Sequence, residues 1–364
     1  MYIRLTQILA LLALFAVHGV SSTSAQPAPN AALPTVWVLS TGGTIAGQGA
    51  SSTDLSQYRS GAILGRQLVA GVPEIAKVAS VKVEQVVNVS SSDITIEHWL
   101  MLANRINAIF RDDPTTAGIV VTHGTNTLEE TAYFLNLTVK SDRPVVVVGS
   151  MRPSTALSAD GPLNLLNAVR TAVSPAARGK GVLIVMNDEI NAAREGTKTN
   201  TYRVETFRAP ELGLLGYVDE DKVTIYRAST RRHTDHSEFD VSGLTTLPKV
   251  EILYSYVQPS TFLANVLVAG GVKGIVFAGT GAGSLSTAEL AALKPIAGLP
   301  AQSRPVFVRS SRTGNGRVIG RGDYDALGMV PADTLNPQKA RVLLMLALTK
   351  TSDPTEIRRM FDEY

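Results

Sequence analysis

Two glycines stand directly before a threonine in Thr41-Gly42-Gly43-Thr44, the first place where this sequence can do chemistry. Paired glycines let the chain turn sharply and approach a ligand closely, leaving backbone N–H groups free as oxyanion donors. A hydroxyl held beside them can attack a carbonyl carbon once a neighbour takes its proton. The competing reading is a phosphate loop. Residues Thr44 to Gly47 do not complete G-x-G-x-x-G, and no acid ends a second strand at the required offset. The later Gly279-Thr280-Gly281-Ala282-Gly283 is a weaker form of the same signal. Nucleotide binding is the minor alternative.

Thr125 and Asn126 precede a helix-like run and serve equally well as helix caps or as site residues. Lys198, in Gly196-Thr197-Lys198-Thr199-Asn200, is either a solvated loop lysine or a base for a threonine hydroxyl, if a polar crevice lowers its pKa. His233 and His236 are spaced for a metal, but no acid or third histidine supports them. No metal and no cofactor are expected.

Such groups need a frame that gathers them. Short β-branched runs at Val36–Ser40, Val86–Val89, Gly118–Thr122, Val145–Ser150, Val182–Met186, Val250–Tyr254, Gly274–Ala278 and Val306–Arg309 read as strands. Several are continuous Val/Ile runs, as in parallel strands covered on both faces. Ile96, Trp99, Leu100, Ala103, Ile106 and Phe110 share one face at helical spacing; further helices are expected from about Thr127 and after Pro162. The expected class is α/β with two domains: a larger N-terminal, doubly wound, mostly parallel sheet over residues 33–227 and a smaller C-terminal α/β domain over 249–364. The polar, aperiodic stretch 228–248 reads as the linker. Ligands of such sheets bind beyond the carboxyl ends of the strands. Those ends carry Ser40-Thr41, Ser90-Ser91-Ser92-Asp93, Thr122-His123-Gly124-Thr125-Asn126, Gly149-Ser150 and Asn187-Asp188, which suits a small polar ligand.

Composition narrows the class. The chain has 364 residues and a net charge of +3, too small an excess to suggest nucleic-acid or membrane-surface binding. With no cysteine, it has neither disulfides nor thiolate chemistry. The start is basic, then apolar from Ile8 to Val17, then small residues ending Ser22-Thr23-Ser24-Ala25, which reads as a signal peptide over residues 1–25. The expected product is an exported, periplasmic protein that is off the membrane after cleavage.

Thr41–Gly47, Thr122–Thr131, Met151–Ser154 with Ser158–Pro162, Thr197–Asn200 and Leu335–Arg341 together resemble the bacterial type II L-asparaginases, from about Leu33 to Tyr364. The resemblance implies hydrolysis of L-asparagine to L-aspartate and ammonia, with L-glutamine as a second substrate, through a threonine nucleophile and without cofactor. It assigns the nucleophile to Thr44, its activation to Tyr58 on a closing loop, and a second cluster to Thr125 and Lys198. It assigns the substrate's α-carboxylate to Ser91, and it implies homotetramers whose sites are shared between subunits.

Two positions depart from the family pattern. Asn126 stands where an aspartate is usual, and Ser92 where a glutamine is usual. Both touch recognition of the α-amino group, where a neutral acceptor is weaker than a carboxylate. The acid usually supplied by the neighbour has no clean match; Asp323 is the nearest. An amidase for another small amide, or a non-catalytic periplasmic amino-acid binder, is the alternative function.

Overall fold

Five of the β-branched runs form the parallel core of an eight-stranded sheet: β1 (Thr35–Gly42), β2 (Ser80–Val89), β3 (Thr116–Thr122), β4 (Val145–Val148) and β5 (Val182–Met186). They lie in the order β5-β4-β3-β1-β2, every neighbouring pair parallel. Three antiparallel strands continue the sheet beyond β5: β6 (Glu189–Ala192), β7 (Gly216–Val218) and β8 (Val223–Ile225). The sequence pattern did not announce these three. They are short, and none is a long β-branched run. The computed structural model describes residues 32–364, so the leader expected over residues 1–25 lies outside the described residues.

Alternation along the central strands shows why they are apolar throughout. Val145 and Val147 pack with α1 (Ile96–Asp112) and α2 (Leu128–Thr138), while Val146 and Val148 pack with α3 (Gly161–Val173). Side chains two apart share a face, so a strand covered on both sides needs apolar residues at every position. The three helices coincide with those expected from the sequence. Thr95 caps α1 by accepting from His98 N at 3.3 Å.

The C-terminal half is a second, smaller parallel sheet of β9 (Val250–Tyr254), β10 (Gly274–Gly279), β11 (Val306–Ser311) and β12 (Val330–Pro331), in that order. Helices α4 (Leu263–Ala269), α5 (Thr287–Ala297), α6 (Pro337–Ala347) and α7 (Pro354–Glu363) accompany it. The two sheets share one core: Leu343, Leu346, Ile357 and Phe361 of α6 and α7 join the cluster that holds Phe134 and Leu135 of α2. Residues 228–248 contain one short turn, Thr234–His236, and bury Phe239, Val241 and Leu247. Arg231 and Arg232 tie the same stretch to Asp333 and Glu363 at 2.7 and 2.6 Å.

The winding reverses at β1. Its next strand, β2, lies on one side and β3 on the other. That is the topological switch point, where a parallel sheet opens a crevice at its carboxyl edge.

Candidate active site

Gly42 and Gly43 end β1 with φ of 102° and 83°, a region that side chains other than glycine rarely adopt. A β-carbon on Gly43 would sit 2.2 Å from Gly124 N, so the loop after β1 and the loop after β3 touch through bare backbone. Thr44 follows immediately in the turn Thr44–Ala46 and is 8% exposed. Its Oγ1 lies 2.7 Å from Tyr58 OH. Tyr58 sits on a two-residue ribbon, Tyr58–Arg59 paired with Gln48–Gly49, and its ring packs where a side chain at Gly47 would be. Gly61 N bonds Gly43 O at 3.1 Å and Ile63 N bonds Ala46 O at 2.9 Å, which returns this loop to the turn.

Across the glycine contact stands a second group. Lys198 Nζ donates to Thr125 Oγ1 at 2.9 Å and to Asn126 Oδ1 at 3.1 Å. Asn126 Nδ2 donates to Ser92 Oγ at 3.2 Å, and Asn126 N to Ser91 Oγ at 3.1 Å. Burial pushes Lys198 below the usual lysine pKa, and the nearby Glu129 carboxylate works against that shift. Thr125 and Asn126 do not cap α2. Thr127 stands before its first residue and donates to Ser91 O at 2.6 Å.

Most other strand-end hydroxyls are engaged with the protein itself. Thr41 Oγ1 donates to Thr122 O at 2.8 Å, Thr122 Oγ1 to Ser40 Oγ at 3.0 Å, and Ser150 Oγ to Arg152 O at 2.7 Å. They hold the crevice in shape. Thus Thr44 meets Tyr58, while Ser91, Ser92, Thr125, Asn126 and Lys198 form one bonded set. Asp323 is exposed on the short helix Gly322–Asp325 of the C-terminal half. His233 Nδ1 lies 2.8 Å from Thr234 Oγ1, and His236 is on the surface near Asp235.

His123 has a role that its place at a strand end does not signal. Trp99 Nε1 can only donate, so Thr131 Oγ1 accepts it at 2.8 Å and turns its own proton to His123 Nε2 at 2.9 Å. Nδ1 then carries the proton and donates to Gly124 O at 2.7 Å, fixing the carbonyl beside the glycine contact. Full burial holds the His123 pKa down at about 4, so the ring is neutral at pH 7. Asp160 is a second residue of this kind. It accepts Met151 N and Arg152 N, both at 2.9 Å, and so shapes the loop after β4.

A doubly wound sheet joined to a smaller parallel domain, with hydroxyl, phenol and amine groups at its switch point, defines a two-domain α/β enzyme. Residues 35–231 match the family described as Asparaginase, N-terminal, and residues 249–361 the Glutaminase/Asparaginase C-terminal domain. L-asparaginase 2 of Bacillus subtilis (strain 168) is 50% identical over 345 residues, which cover 95% of this chain and 90% of that one. The Glutaminase-asparaginase of Pseudomonas fluorescens biotype A is 46% identical over 356 residues, covering 97% of each. Among solved structures, the Probable Cytoplasmic L-asparaginase from Campylobacter jejuni superposes with a TM-score of 0.87 at 48% identity, covering 91% of this chain and 99% of that one. The chain belongs to the asparaginase family.

Proposed function

We propose that this protein hydrolyses the side-chain amide of L-asparagine to L-aspartate and ammonia, and accepts L-glutamine as a second substrate. Thr44 is the nucleophile. As Oγ1 attacks the carboxamide carbon, its proton passes to Tyr58 OH, 2.7 Å away, while the phenol proton passes on to the amide nitrogen. Gly43 N is taken by Val89 O at 3.1 Å, contrary to the expectation of a free donor there, so the oxyanion is held by the adjoining backbone N–H groups of Thr44 and Gly124; ammonia leaves, and an ester on Thr44 remains. Water then adds to that ester. Neutral Lys198, bonded to Thr125, accepts the proton that this step releases; the ester bond to Thr44 then breaks, L-aspartate leaves, and Oγ1 takes a proton back to restore the hydroxyl. Ser91 takes the substrate α-carboxylate, and Asn126 with Ser92 faces its α-ammonium. The Thr44–Tyr58 and Thr125–Lys198 pairs on either side of one glycine contact carry this reading, because a single carbonyl carbon can be addressed from both.

Ammonia release from purified protein tests it. Thr44→Ala is expected to lower kcat on L-asparagine by more than about 10³-fold, the scale of losing a nucleophile. Acid-quenched wild-type enzyme should yield an acylated peptide containing Thr44. Undiminished turnover in the variant would remove Thr44 from the mechanism. Release only from other amides would make the protein a different amidase, and binding without turnover an amino-acid binder.

We further infer export to the periplasm by residues 1–25, division of the mature chain at residues 228–248, and assembly as a homotetramer in which a second copy completes each site. The apolar leader supports the first and the family resemblance the last. Tyr254, Tyr256, Val257, Phe262 and Val266, all well exposed around the start of α4, offer an apolar surface for that assembly.

A further inference from the structure

The two atoms that accept hydrogen bonds from Lys198 Nζ, Thr125 Oγ1 and Asn126 Oδ1, are both neutral. The carboxylate that favours its charged form is that of Glu129. Glu129, in the first turn of α2 and 6% exposed, is held by three residues at the start of α6. Asn336 Nδ2 donates to its Oε2 at 3.1 Å, Gln338 Nε2 to its Oε1 at 3.2 Å, and Lys339 Nζ lies 3.8 Å from Oε2.

Two of the three, Asn336 and Lys339, also grip the segment that leads into Lys198. Asn336 Nδ2 also reaches Thr197 Oγ1 at 3.4 Å. Lys339 Nζ, fully buried, donates to Gly196 O at 2.6 Å and Arg194 O at 3.0 Å. One polar cluster therefore fixes both the position of the amine and the charge behind it.

We propose that Glu129 is a positioning residue for the hydrolysis: clamped by Asn336, Gln338 and Lys339, it supplies the negative charge that Lys198 lacks among its bonded partners, and so sets the pH range over which Lys198 accepts a proton. This rests on the role given to Lys198 above. The charged groups around the cluster are Lys339, Arg194 and Lys198 on the positive side and Glu130 and Glu195 on the negative, with Arg341 facing Glu130. Lys339 is brought down to about 8, chiefly by its burial, and Glu129 is the first charge that opposes this.

The sign is fixed. A carboxylate favours the ammonium form of Lys198, so neutralising it lowers the pH at which free base appears. In Glu129→Gln the acidic limb of kcat/KM on L-asparagine should move down by about half a pH unit or more. Lys339→Met deletes the cation that shares Glu129, and its limb should move up. Thermal unfolding of each variant shows that the protein measured is folded. If Glu129→Gln does not fold, the upward shift in Lys339→Met decides alone.

Opposite shifts establish the proposal. Lower turnover at every pH with an unmoved limb would make the cluster a structural support only and overturn it. A limb that persists in Lys198→Met would show that Lys198 is not the titrating base. That outcome overturns the parent mechanism, and this inference with it.

Discussion

At the scale of single residues, Asn126 controls the character of the site. Its amide carbonyl accepts a hydrogen bond from Lys198 Nζ at 3.1 Å, and its NH₂ group donates to Ser92 Oγ at 3.2 Å. The side chain is neutral, so in the proposed site it would face a substrate ammonium with a dipole alone. Asn126→Asp restores a carboxylate with almost no change in volume. A charge-assisted hydrogen bond exceeds a neutral one by roughly 1 kcal/mol, so KM for L-asparagine should fall about five-fold. The same carboxylate stabilises protonated Lys198, so the acidic limb of the rate profile should rise in pH. Kinetics on both amides across pH check this. An unchanged KM together with an unchanged asparagine-to-glutamine ratio would take Asn126 out of recognition.

At the scale of elements, the crevice depends on two loops that can touch only because they are glycine. In Gly43→Ala the new carbon would lie 2.2 Å from Gly124 N and 2.3 Å from Gly124 Cα, at a φ of 83°. Both walls are backbone, so no rotamer relieves the clash. The strained φ and the overpacking together should cost about 2–5 kcal/mol. Displacing Thr44 from Tyr58 should also lower kcat by about 10²-fold in the fraction that folds. Thermal unfolding and active-site-normalised turnover separate the two losses; wild-type values in both would mean that the loops are free to part. This contact was half legible in advance. The glycine pair and the strand ends were readable because apolar runs and turn residues are local signals. Its contact with Gly124 was not, since a contact 81 residues away in sequence leaves no period. The same holds for His123 and for Lys339, whose burial depends on folding of the whole chain. Strands β6 to β8 were missed for a different reason: each is three or four residues long, and Glu189 and Asn191 break up the first.

At the scale of the whole molecule, the C-terminal half presents apolar groups where a self-contained subunit would place polar ones. Val257 is 94% exposed, and Tyr254, Tyr256, Phe262 and Val266 lie close to it in sequence. Isolated apolar residues on a surface are ordinary, but a cluster at one strand end and helix start marks a contact surface. The proposed crevice belongs to the N-terminal sheet, and in the inferred assembly the C-terminal half of a neighbour is what completes it. Val257→Lys with Val266→Lys places two like charges in that surface, and desolvating them should prevent association. Light scattering coupled to size exclusion should show wild-type tetramers and smaller species for the double variant. Turnover per subunit should fall along with the mass, since neither substituted residue belongs to the Thr44 or Lys198 groups. A tetramer that survives both substitutions would place the interface elsewhere. Full activity in a dissociated subunit would mean that each crevice is complete on its own.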